Sequence, residues 1–309
     1  MKKKISIIIP FYNEKDNLSK ILSDVKALIE IENKYDFELL LMDNNSDDGS
    51  NIIAKEELKN FKNSKYIKLS RNFGYQSNIK AGYDYCSGDA AVQLDADGED
   101  DPKIISEFIR QWEKGYNVVY GIREKRVENI ILTYIRNFFY SFLKKFSEIH
   151  IPDKAGDFRL LDRKVINFLK KFDEKNLYLR GLISFIGFKQ KGINYNRNKR
   201  YAGNSRISLL NYFDIAMSAV TSFTKTPLIL IFLIGTFIFL LSLILLLLYF
   251  LLYLFGNITE PGFTTLILIQ LFFFGLLMLL IGVISIYVGY ILDEVKKRPT
   301  YIIDEDESK

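Results

Sequence analysis

Cysteine and histidine are almost absent from this chain of 309 residues, which contains one of each. Because Cys86 has no second cysteine to pair with, no intrachain disulfide can form, and a reducing, cytoplasmic compartment is expected. The single histidine, His150, excludes histidine-based catalytic triads and most zinc sites. Acid–base chemistry must therefore rest on carboxylates or on the substrate itself.

Charge is absent from most of the last third of the chain, since residues 226–292 contain a single charged residue, Glu260. The apolar runs 227–255 and 261–292 each exceed, at ~1.5 Å per residue, the ~30 Å hydrocarbon thickness of a bilayer. Run length and the lack of polar faces disfavour the alternative, two buried helices of a soluble core. The pattern predicts two transmembrane helices.

Basic residues flank these runs but do not join them. Lys225 precedes the first run, Lys296, Lys297 and Arg298 follow the second, and the connecting residues 256–260 contain no lysine or arginine. The positive-inside rule therefore places both termini in the cytoplasm, together with the residues that precede the first apolar run, which we call the head. The apolar stretch 5–10 is too short for a signal peptide, so the head is expected to stay on the side where it is made.

The rest of the chain alternates strand and helix patterns. Strands are predicted near residues 5–9, 38–42, 66–69, 90–94 and 118–120, with helices near 15–31, 51–60, 76–86 and 104–114. This order predicts an α/β fold with a mostly parallel, Rossmann-like sheet.

Four regions follow from these patterns: an α/β head at 1–207, an interfacial helix at 208–225, a transmembrane hairpin at 226–292 and a cytoplasmic tail at 293–309. The charged residues 304–309 are expected to be disordered. The aromatic segment 130–146 fits a membrane-surface helix and a core-facing helix equally well.

Carboxylates follow the fourth predicted strand, where Asp95-Ala96-Asp97 is followed by Glu99. Ligands bind at the carboxyl ends of the strands in parallel sheets, and paired carboxylates there are typical ligands of Mg²⁺ or Mn²⁺ that bridges to phosphates. The alternative is an acidic loop on a solvated surface.

Polar residues also follow the first two strands. Asp43 and Asn44 begin one such group, and Tyr12, Asn13 and Glu14 form the other. Their carboxylate and amide groups suit a ribose or a base edge, although the group after Asp43 is equally suited to a turn and helix N-cap. Three strand ends are therefore expected to converge on one site.

These motifs, with others later in the chain, resemble the family 2 glycosyltransferases of the GT-A fold. The matching residues are Pro10, Tyr12-Asn13-Glu14, Asp43-Asn44, Ser46, Asp48, Arg71-Asn72-Phe73-Gly74, Asp95-Ala96-Asp97, Ala155-Gly156-Asp157-Phe158-Arg159-Leu160, Tyr195, Arg197, Arg200, Gly203 and Ser205. The later motifs and the two apolar runs are similar to polyprenyl-phosphate glycosyltransferases, such as dolichol-phosphate mannose synthase and bacterial undecaprenyl-phosphate glucosyltransferases. The resemblance covers nearly all of residues 5–298.

The resemblance implies a reaction: inverting transfer of one sugar from a nucleotide-sugar to a polyprenyl phosphate at the cytoplasmic face of a bacterial membrane, for cell-envelope glycosylation. The family's bacterial members suggest UDP-glucose and undecaprenyl phosphate. Mg²⁺ or Mn²⁺ is the implied cofactor. The lipid, the donor and the membrane are the implied partners, nucleic acid is not, and a homo-oligomer is left open.

The resemblance also implies residue roles. The donor-binding residues would be Pro10, Tyr12, Asn13, Glu14, Asp43, Asn44, Asp95 and Arg200. The metal would be held by Asp95, Asp97 and Glu99, the catalytic residues would be Asp157 and Asp97, and the acceptor phosphate would meet Arg123, Arg136 and Arg197. The chain departs from the family at three points: Asn44 and Glu99 stand where aspartate and glutamine are common, and the family's serine near the aromatic segment is replaced around Arg136.

Two assignments have alternatives. The basic stretch 187–206, which contains no acidic residue, suits a lipid phosphate or the donor diphosphate better than nucleic acid and is expected to fold over the donor; a solvated basic surface is the other interpretation. Asp157 fits a general base and a structural carboxylate that holds Arg159 or another basic residue equally well.

Two rival functions remain. A decayed, non-catalytic membrane scaffold is disfavoured because Asp95, Asp97, Asp157 and Arg200 are all present. A processive polysaccharide synthase of the same fold generally has more spans and a Gln-x-x-Arg-Trp motif, whereas the only tryptophan here is Trp112.

Overall fold

The computed structural model describes residues 2–123, 155–175, 177–202, 226–255 and 262–308. The chain divides into two compact units, one of Met1–Ala219 with Arg298–Lys309 and the other of Val220–Lys297. The expected segments 130–146 and 208–225, together with His150 and Arg136, lie outside the described residues. The four regions drawn from the sequence, with the three boundaries between them, stay predictions.

The first unit contains an eight-stranded mixed sheet in its described part. Its strands are β1 (Lys4–Phe11), β2 (Asp36–Asp43), β3 (Ser64–Leu69), β4 (Ala90–Gln93), β5 (Val118–Arg123), β6 (Ala155–Asp162), β7 (Gln190–Tyr195) and β8 (Ile303–Ser308). Their order is β7-β5-β6-β4-β1-β2-β3-β8. The α/β class expected from the sequence is confirmed.

Six α-helices accompany the sheet in the described part of this unit: α1 (Lys15–Ile31), α2 (Ser50–Glu57), α3 (Tyr75–Tyr85), α4 (Ile104–Glu113), α5 (Arg163–Leu169) and α6 (Leu179–Ile186). A short 3-10 turn, Leu58–Asn60, extends α2. The four helices expected before residue 120 are confirmed within a few residues at their ends.

The central strands form because most of their side chains, on both faces, are apolar. Residues 5–11 of β1 and 37–43 of β2 are all buried, as expected for parallel strands covered by helices on both sides. On α1, Leu18, Ile21, Leu22, Val25 and Leu28 repeat at helical spacing and are buried against the sheet. The same core contains Trp112, whose indole nitrogen donates to Asp162 at 2.7 Å.

The sheet is less uniformly parallel than expected. The pairs β1–β2, β1–β4, β2–β3 and β5–β7 are parallel, but β6 lies antiparallel between β4 and β5. Strand β6 was missed because its sequence, AGDFRLLD, mixes charged and apolar residues without strict alternation.

The C-terminal tail corrects an expectation. Residues 304–309 were expected to be disordered because they are charged, but Ile303–Ser308 forms β8, which pairs antiparallel with β3. Lys55 accounts for this, because its ammonium binds Glu305 at 2.6 Å and Glu307 at 2.8 Å. The acidic strand is therefore stabilised by β3 and by basic side chains next to it.

The second unit contains α7 (Thr226–Leu254) and α8 (Phe263–Val295). Within the described residues, Phe273–Val295 has the length and composition of a membrane-spanning helix, with a mean hydropathy of 2.4 over its most apolar window. One candidate span is therefore found, and the second expected span stays a prediction.

Candidate functional site

The sheet topology brings the three polar strand ends together. Strand β1 lies between β2 and β4 and is parallel to both, with Phe11 opposite Asp43 and Ile8 opposite Gln93. The residues that follow β1, β2 and β4 therefore emerge at the same edge of the sheet. We call this the open edge.

The loop after β1 is fixed to the loop after β2. Asn13 adopts a left-handed conformation, with φ of 56°, and its backbone N donates to Ser46 Oγ at 3.0 Å. Its side-chain amide binds Asp47 at 2.7 Å, and the backbone N of Glu14 donates to Ser50 Oγ at 2.9 Å. Tyr12 is left exposed at the tip of this loop, where an aromatic ring could stack on a base.

Two predicted donor-binding residues are buried. Pro10 lies inside β1, opposite Met42, one residue before the strand ends. Asp43 is fully buried, and its two oxygens accept from the backbone N of Ser46 at 2.8 Å and from the Tyr66 hydroxyl at 2.7 Å. These contacts make Asp43 a support for its loop; nucleoside contacts by Pro10 and Asp43 stay predictions.

Asn44 connects the second strand end to the Asn72-Phe73-Gly74 turn. Its amide nitrogen donates to Asn72 Oδ1, and its amide oxygen accepts from the backbone N of Phe73, both at 2.9 Å. Asn72 Oδ1 also accepts from the backbone N of Gly74, directly before α3. Asn44 therefore positions the start of α3, and its nucleoside contact stays a prediction.

The acidic residues after β4 crowd one another. Asp95 Oδ1 accepts from the Tyr75 hydroxyl at 2.6 Å and from Gln93 Nε2 at 2.8 Å. Burial, together with the negative charges of Asp97 and Asp100, raises the pKa of Asp95 to about 7. A carboxylate with this environment favours either a proton or a cation.

Arginines approach this acidic group from the chain that follows β7. Arg197 forms an ion pair with Glu99, and Arg200 forms one with Glu14. Arg200 Nη1 also lies 3.8 Å from Asp97 Oδ2. The structure therefore brings together the predicted metal-binding carboxylates and two predicted phosphate-binding arginines.

Arg123, expected at the acceptor phosphate, lies at the same acidic group. Its Nη2 is 3.5 Å from Asp100 Oδ2, and its Nε donates to the Tyr195 hydroxyl at 3.3 Å. Asp100 is completely buried, so Arg123 offsets its negative charge. The phosphate-binding roles of Arg123 and Arg197 stay predictions.

The donor atoms at the open edge fit a divalent cation shared with a substrate. Among the described residues no group of three or more potential ligands is arranged as a complete metal site. Magnesium, however, is commonly bound by one or two carboxylates plus substrate phosphates. Asp95 and Asp97 supply such oxygens, whereas Glu99 is engaged with Arg197, and its metal-binding role stays a prediction.

Asp157 faces an arginine that the sequence analysis did not single out. Arg180 on α6 donates through Nε to Asp157 Oδ1 at 2.9 Å and through Nη2 to Oδ2 at 2.6 Å. Burial alone would raise the pKa of Asp157, but Arg180, aided by Arg159 and Arg123, lowers it to about 2. A carboxylate of this acidity is a poor proton acceptor, which favours the structural interpretation of Asp157.

Tyr75 is a second residue that the sequence analysis missed. It begins α3, its ring is 42% exposed, and its hydroxyl contacts Asp95 at the open edge. Its place directly after the Asn72-Phe73-Gly74 motif was the available signal. The contact depends on how α3 packs beside β4, which the local sequence does not specify.

Comparisons with known proteins show which proteins this chain is similar to. A family model described as glycosyl transferase family 2 matches residues 6–169. The chain is 38% identical over 301 residues to the uncharacterized glycosyltransferase YkcC of Bacillus subtilis, an alignment that covers 97% of this chain and 93% of that protein. It is 30% identical over 310 residues to the SfII prophage-derived bactoprenol glucosyl transferase of Shigella flexneri, covering 97% of both.

Solved structures show a weaker similarity. The glucosyl-3-phosphoglycerate synthase from Mycobacterium tuberculosis, in complex with Mn²⁺, UDP-glucose and phosphoglyceric acid, is 14% identical. The superposition covers 71% of this chain and 78% of that chain, with a TM-score of 0.47.

Proposed function

The chain belongs to glycosyl transferase family 2, and from that membership we propose that it transfers glucose from UDP-glucose to undecaprenyl phosphate at the cytoplasmic membrane face. That it is a glycosyltransferase follows from the family. The name of the Shigella relative, a bactoprenol glucosyl transferase, supports glucose and a polyprenyl acceptor. The donor nucleotide and the GT-A form of the fold are part of the proposal.

The observation that carries the proposal is the pairing of carboxylates with arginines at the open edge. Asp95 and Asp97 offer oxygen ligands for a cation, and Arg200 lies close enough to interact with Asp97. A nucleotide diphosphate needs both kinds of group, because a cation and guanidinium groups together compensate its charge. Asp95, Asp97 and Arg200 are therefore assigned to the diphosphate.

In this proposal Asp95 and Asp97 hold Mg²⁺ or Mn²⁺. The bound cation would supply charge compensation to the departing diphosphate. Arg200 would then exchange part of its present pairing with Glu14 for the phosphate oxygens. Tyr12, exposed beside Asn13, would lie under the base.

The acceptor makes a strong protein base unnecessary. A phosphomonoester has a second pKa of about 6, so undecaprenyl phosphate is mostly dianionic at neutral pH and can attack the anomeric carbon directly. Inversion follows from this single displacement. Asp157, with its pKa near 2, would then position Arg180 beside the acceptor phosphate.

Membrane attachment through two spans is supported by the tail strand. Because β8 pairs with β3 of the head, the chain after α8 would lie on the same side of the membrane as the head in this proposal. A chain that starts and ends on one side crosses the membrane an even number of times. With Phe273–Val295 as one span, α7, which is 29 residues long, is the natural second.

The test uses purified full-length protein in nanodiscs containing undecaprenyl phosphate, offered a mixture of UDP- and GDP-sugars with Mg²⁺ or Mn²⁺. We expect undecaprenyl-phosphate-glucose by mass spectrometry, matched by UDP release. Asp97→Ala and chelation with EDTA should each abolish transfer, while the exposed-site variant Asp36→Ala should retain it.

Three outcomes would contradict parts of this proposal. Full activity after exhaustive chelation would exclude the metal role of Asp95 and Asp97. A different sugar on the lipid would exclude glucose, and products longer than one sugar would indicate a processive synthase. No transfer from any donor would favour the non-catalytic scaffold.

A further inference from the structure

One aromatic side chain, Tyr201, packs the chain after β7 against the loop that follows β4, residues 94–101, which we call the acidic loop. Its ring lies on Gly98, because a Cβ atom placed on that glycine would be only 2.0 Å from Tyr201 Cε2. Gly98 also has a φ of +74°, a region that favours glycine. Glycine at this position therefore serves both the turn and the close approach of the ring.

Tyr201 makes three further contacts. Its backbone N donates to the carbonyl of Asp97 at 3.1 Å, and its hydroxyl donates to Asp24 Oδ2 on α1 at 2.5 Å. The Lys20 ammonium lies 4.0 Å from the centre of the ring. Tyr201 thus links the acidic loop, helix α1 and the basic segment, which we define as residues 196–202.

The basic segment carries the two arginines of the open edge. Arg200 directly precedes Tyr201 and is paired with Glu14 and close to Asp97. Two residues before Arg200, the backbone N of Asn198 donates to the carbonyl of Glu99 at 2.8 Å. Because Arg200 and Tyr201 are adjacent in the chain, the packing of the Tyr201 ring on Gly98 limits the positions that the Arg200 guanidinium can reach.

We propose that Tyr201, seated on Gly98, is a positioning residue that holds Arg200 at the donor diphosphate and so favours transfer to lipid over transfer to water. This inference rests on the proposed function of the site. In transfer, an acceptor phosphate oxygen bonds to the anomeric carbon as the carbon–oxygen bond to the diphosphate breaks. In the competing reaction a water oxygen forms that bond, its proton passes to solvent, and the same diphosphate leaves.

The experiment compares full-length variants in nanodiscs with UDP-glucose and undecaprenyl phosphate. For Tyr201→Ala and for Gly98→Ala, we expect the ratio of UDP released to glycolipid formed to rise several-fold. The double variant should be no worse than either single variant, since both remove the same contact. Tyr201→Phe, which keeps the ring and loses the hydroxyl, should lie closer to the unaltered protein.

Gly115→Ala is the matched control. Gly115 also has a positive φ, of +92°, but a Cβ there would meet nothing within 4 Å. This variant carries the backbone strain of Gly98→Ala without displacing a ring, so its product ratio should stay unchanged. An equal rise in Gly115→Ala would attribute the effect to strain and overturn the proposal.

A second measurement does not depend on activity. The basic segment contains Arg197, Lys199 and Arg200, which are trypsin cleavage sites. We expect Tyr201→Ala and Gly98→Ala to be cut there several-fold faster than the unaltered protein and Gly115→Ala, with little change elsewhere in the head.

The outcomes separate the two proposals. If the unaltered protein transfers glucose but the variants change neither product ratio nor cleavage, the role of Tyr201 is wrong and the proposed function stands. Faster cleavage with an unchanged product ratio would also overturn it, because Tyr201 would then hold the segment without positioning Arg200. Absence of transfer by the unaltered protein would overturn the proposed function, and this inference with it.

Discussion

Asp157 and Arg180 form a two-point ion pair in which both carboxylate oxygens are used. Arginine binds a carboxylate in this way with a defined orientation, so each partner fixes the other. Because the pKa of Asp157 is lowered to about 2, the group is ionised throughout the physiological range. Titration of Asp157 should therefore cause no change of rate with pH above about pH 4.

Asp157→Asn should lower turnover on the order of 100-fold, because Arg180 loses one of its two hydrogen-bond acceptors and moves from its position. The loss should be the same from pH 6 to pH 9, and Arg180→Gln should resemble it. Initial rates at saturating lipid, measured across this range for both single variants and the double variant, provide the check. If activity instead recovers as the pH rises, Asp157 acts as a base, and activity equal to the unaltered protein would exclude both roles.

Asn44 shows why one departure from the family pattern is compatible with the site. Its amide donates to Asn72 and accepts from Phe73 at the same time. A carboxylate at position 44 could accept from the backbone N of Phe73 but could not donate to Asn72 Oδ1. The amide of Asn44 therefore complements the side-chain oxygen of Asn72. Where the family commonly has a charged aspartate, this chain has a neutral side chain that hydrogen-bonds to the turn before α3.

Site residues were predictable where the chain places them directly after a strand. Asp95, Asp97, Asn13 and Asp43 follow hydrophobic runs, and parallel pairing alone brings such positions to one edge. Arg180, Tyr75 and Tyr201 do not directly follow a strand and lack this signal. Their roles depend on the packing of helices and loops far apart in the chain, which local patterns do not specify.

At the level of elements, the strands that were predicted are those with apolar runs, whereas β6 was missed although most of it is buried. Strands β1 and β2 are apolar on both faces, and their composition alone identifies them. Strand β7 is mostly half-exposed and β8 is almost entirely acidic, so neither carries a hydrophobic signal. Edge strands form because a neighbouring strand offers unpaired backbone groups.

Strand β8 should contribute measurably to the stability of the head. Truncation after Ile302 removes its ladder with β3, in which each hydrogen bond is worth about 0.5–1.5 kcal/mol, and both ion pairs to Lys55. We expect the Tm of the head to fall by roughly 5 °C or more, because 1 kcal/mol corresponds to about 2–4 °C at this size. Thermal unfolding of the full-length and truncated proteins checks this.

Lys55→Met is the matched comparison, because it breaks both ion pairs and leaves the ladder intact. Lys55 is one-third exposed, so this change should cost about 1 kcal/mol or less. Backbone amides of β3 should exchange with solvent faster only in the truncated protein. An unchanged Tm and unchanged exchange after truncation would show that the tail does not join the sheet in solution.

At the scale of the whole molecule, the pairing of the tail strand limits which of the proposed membrane topologies is possible. Residues 303–308 pair with β3, so in the proposed membrane arrangement the head and the end of the chain must share one side. If Phe273–Val295 were the sole span, the head and the tail would lie on opposite sides and this pairing could not form. The sheet therefore supports the hairpin that the apolar runs and flanking lysines predict.

Cysteine labelling of intact cells can separate these two topologies. Cys86 should give little background labelling, because its side chain is buried and burial raises the pKa of its thiol. With a hairpin, a membrane-impermeant maleimide should label Asn257→Cys from outside, while Lys2→Cys and Lys309→Cys should react only after permeabilisation. With a single span at α8, residues 2 and 257 would share one side and residue 309 would lie on the other. Labelling of Lys309→Cys from outside intact cells would thus overturn both the hairpin and the pairing of β8 with the head.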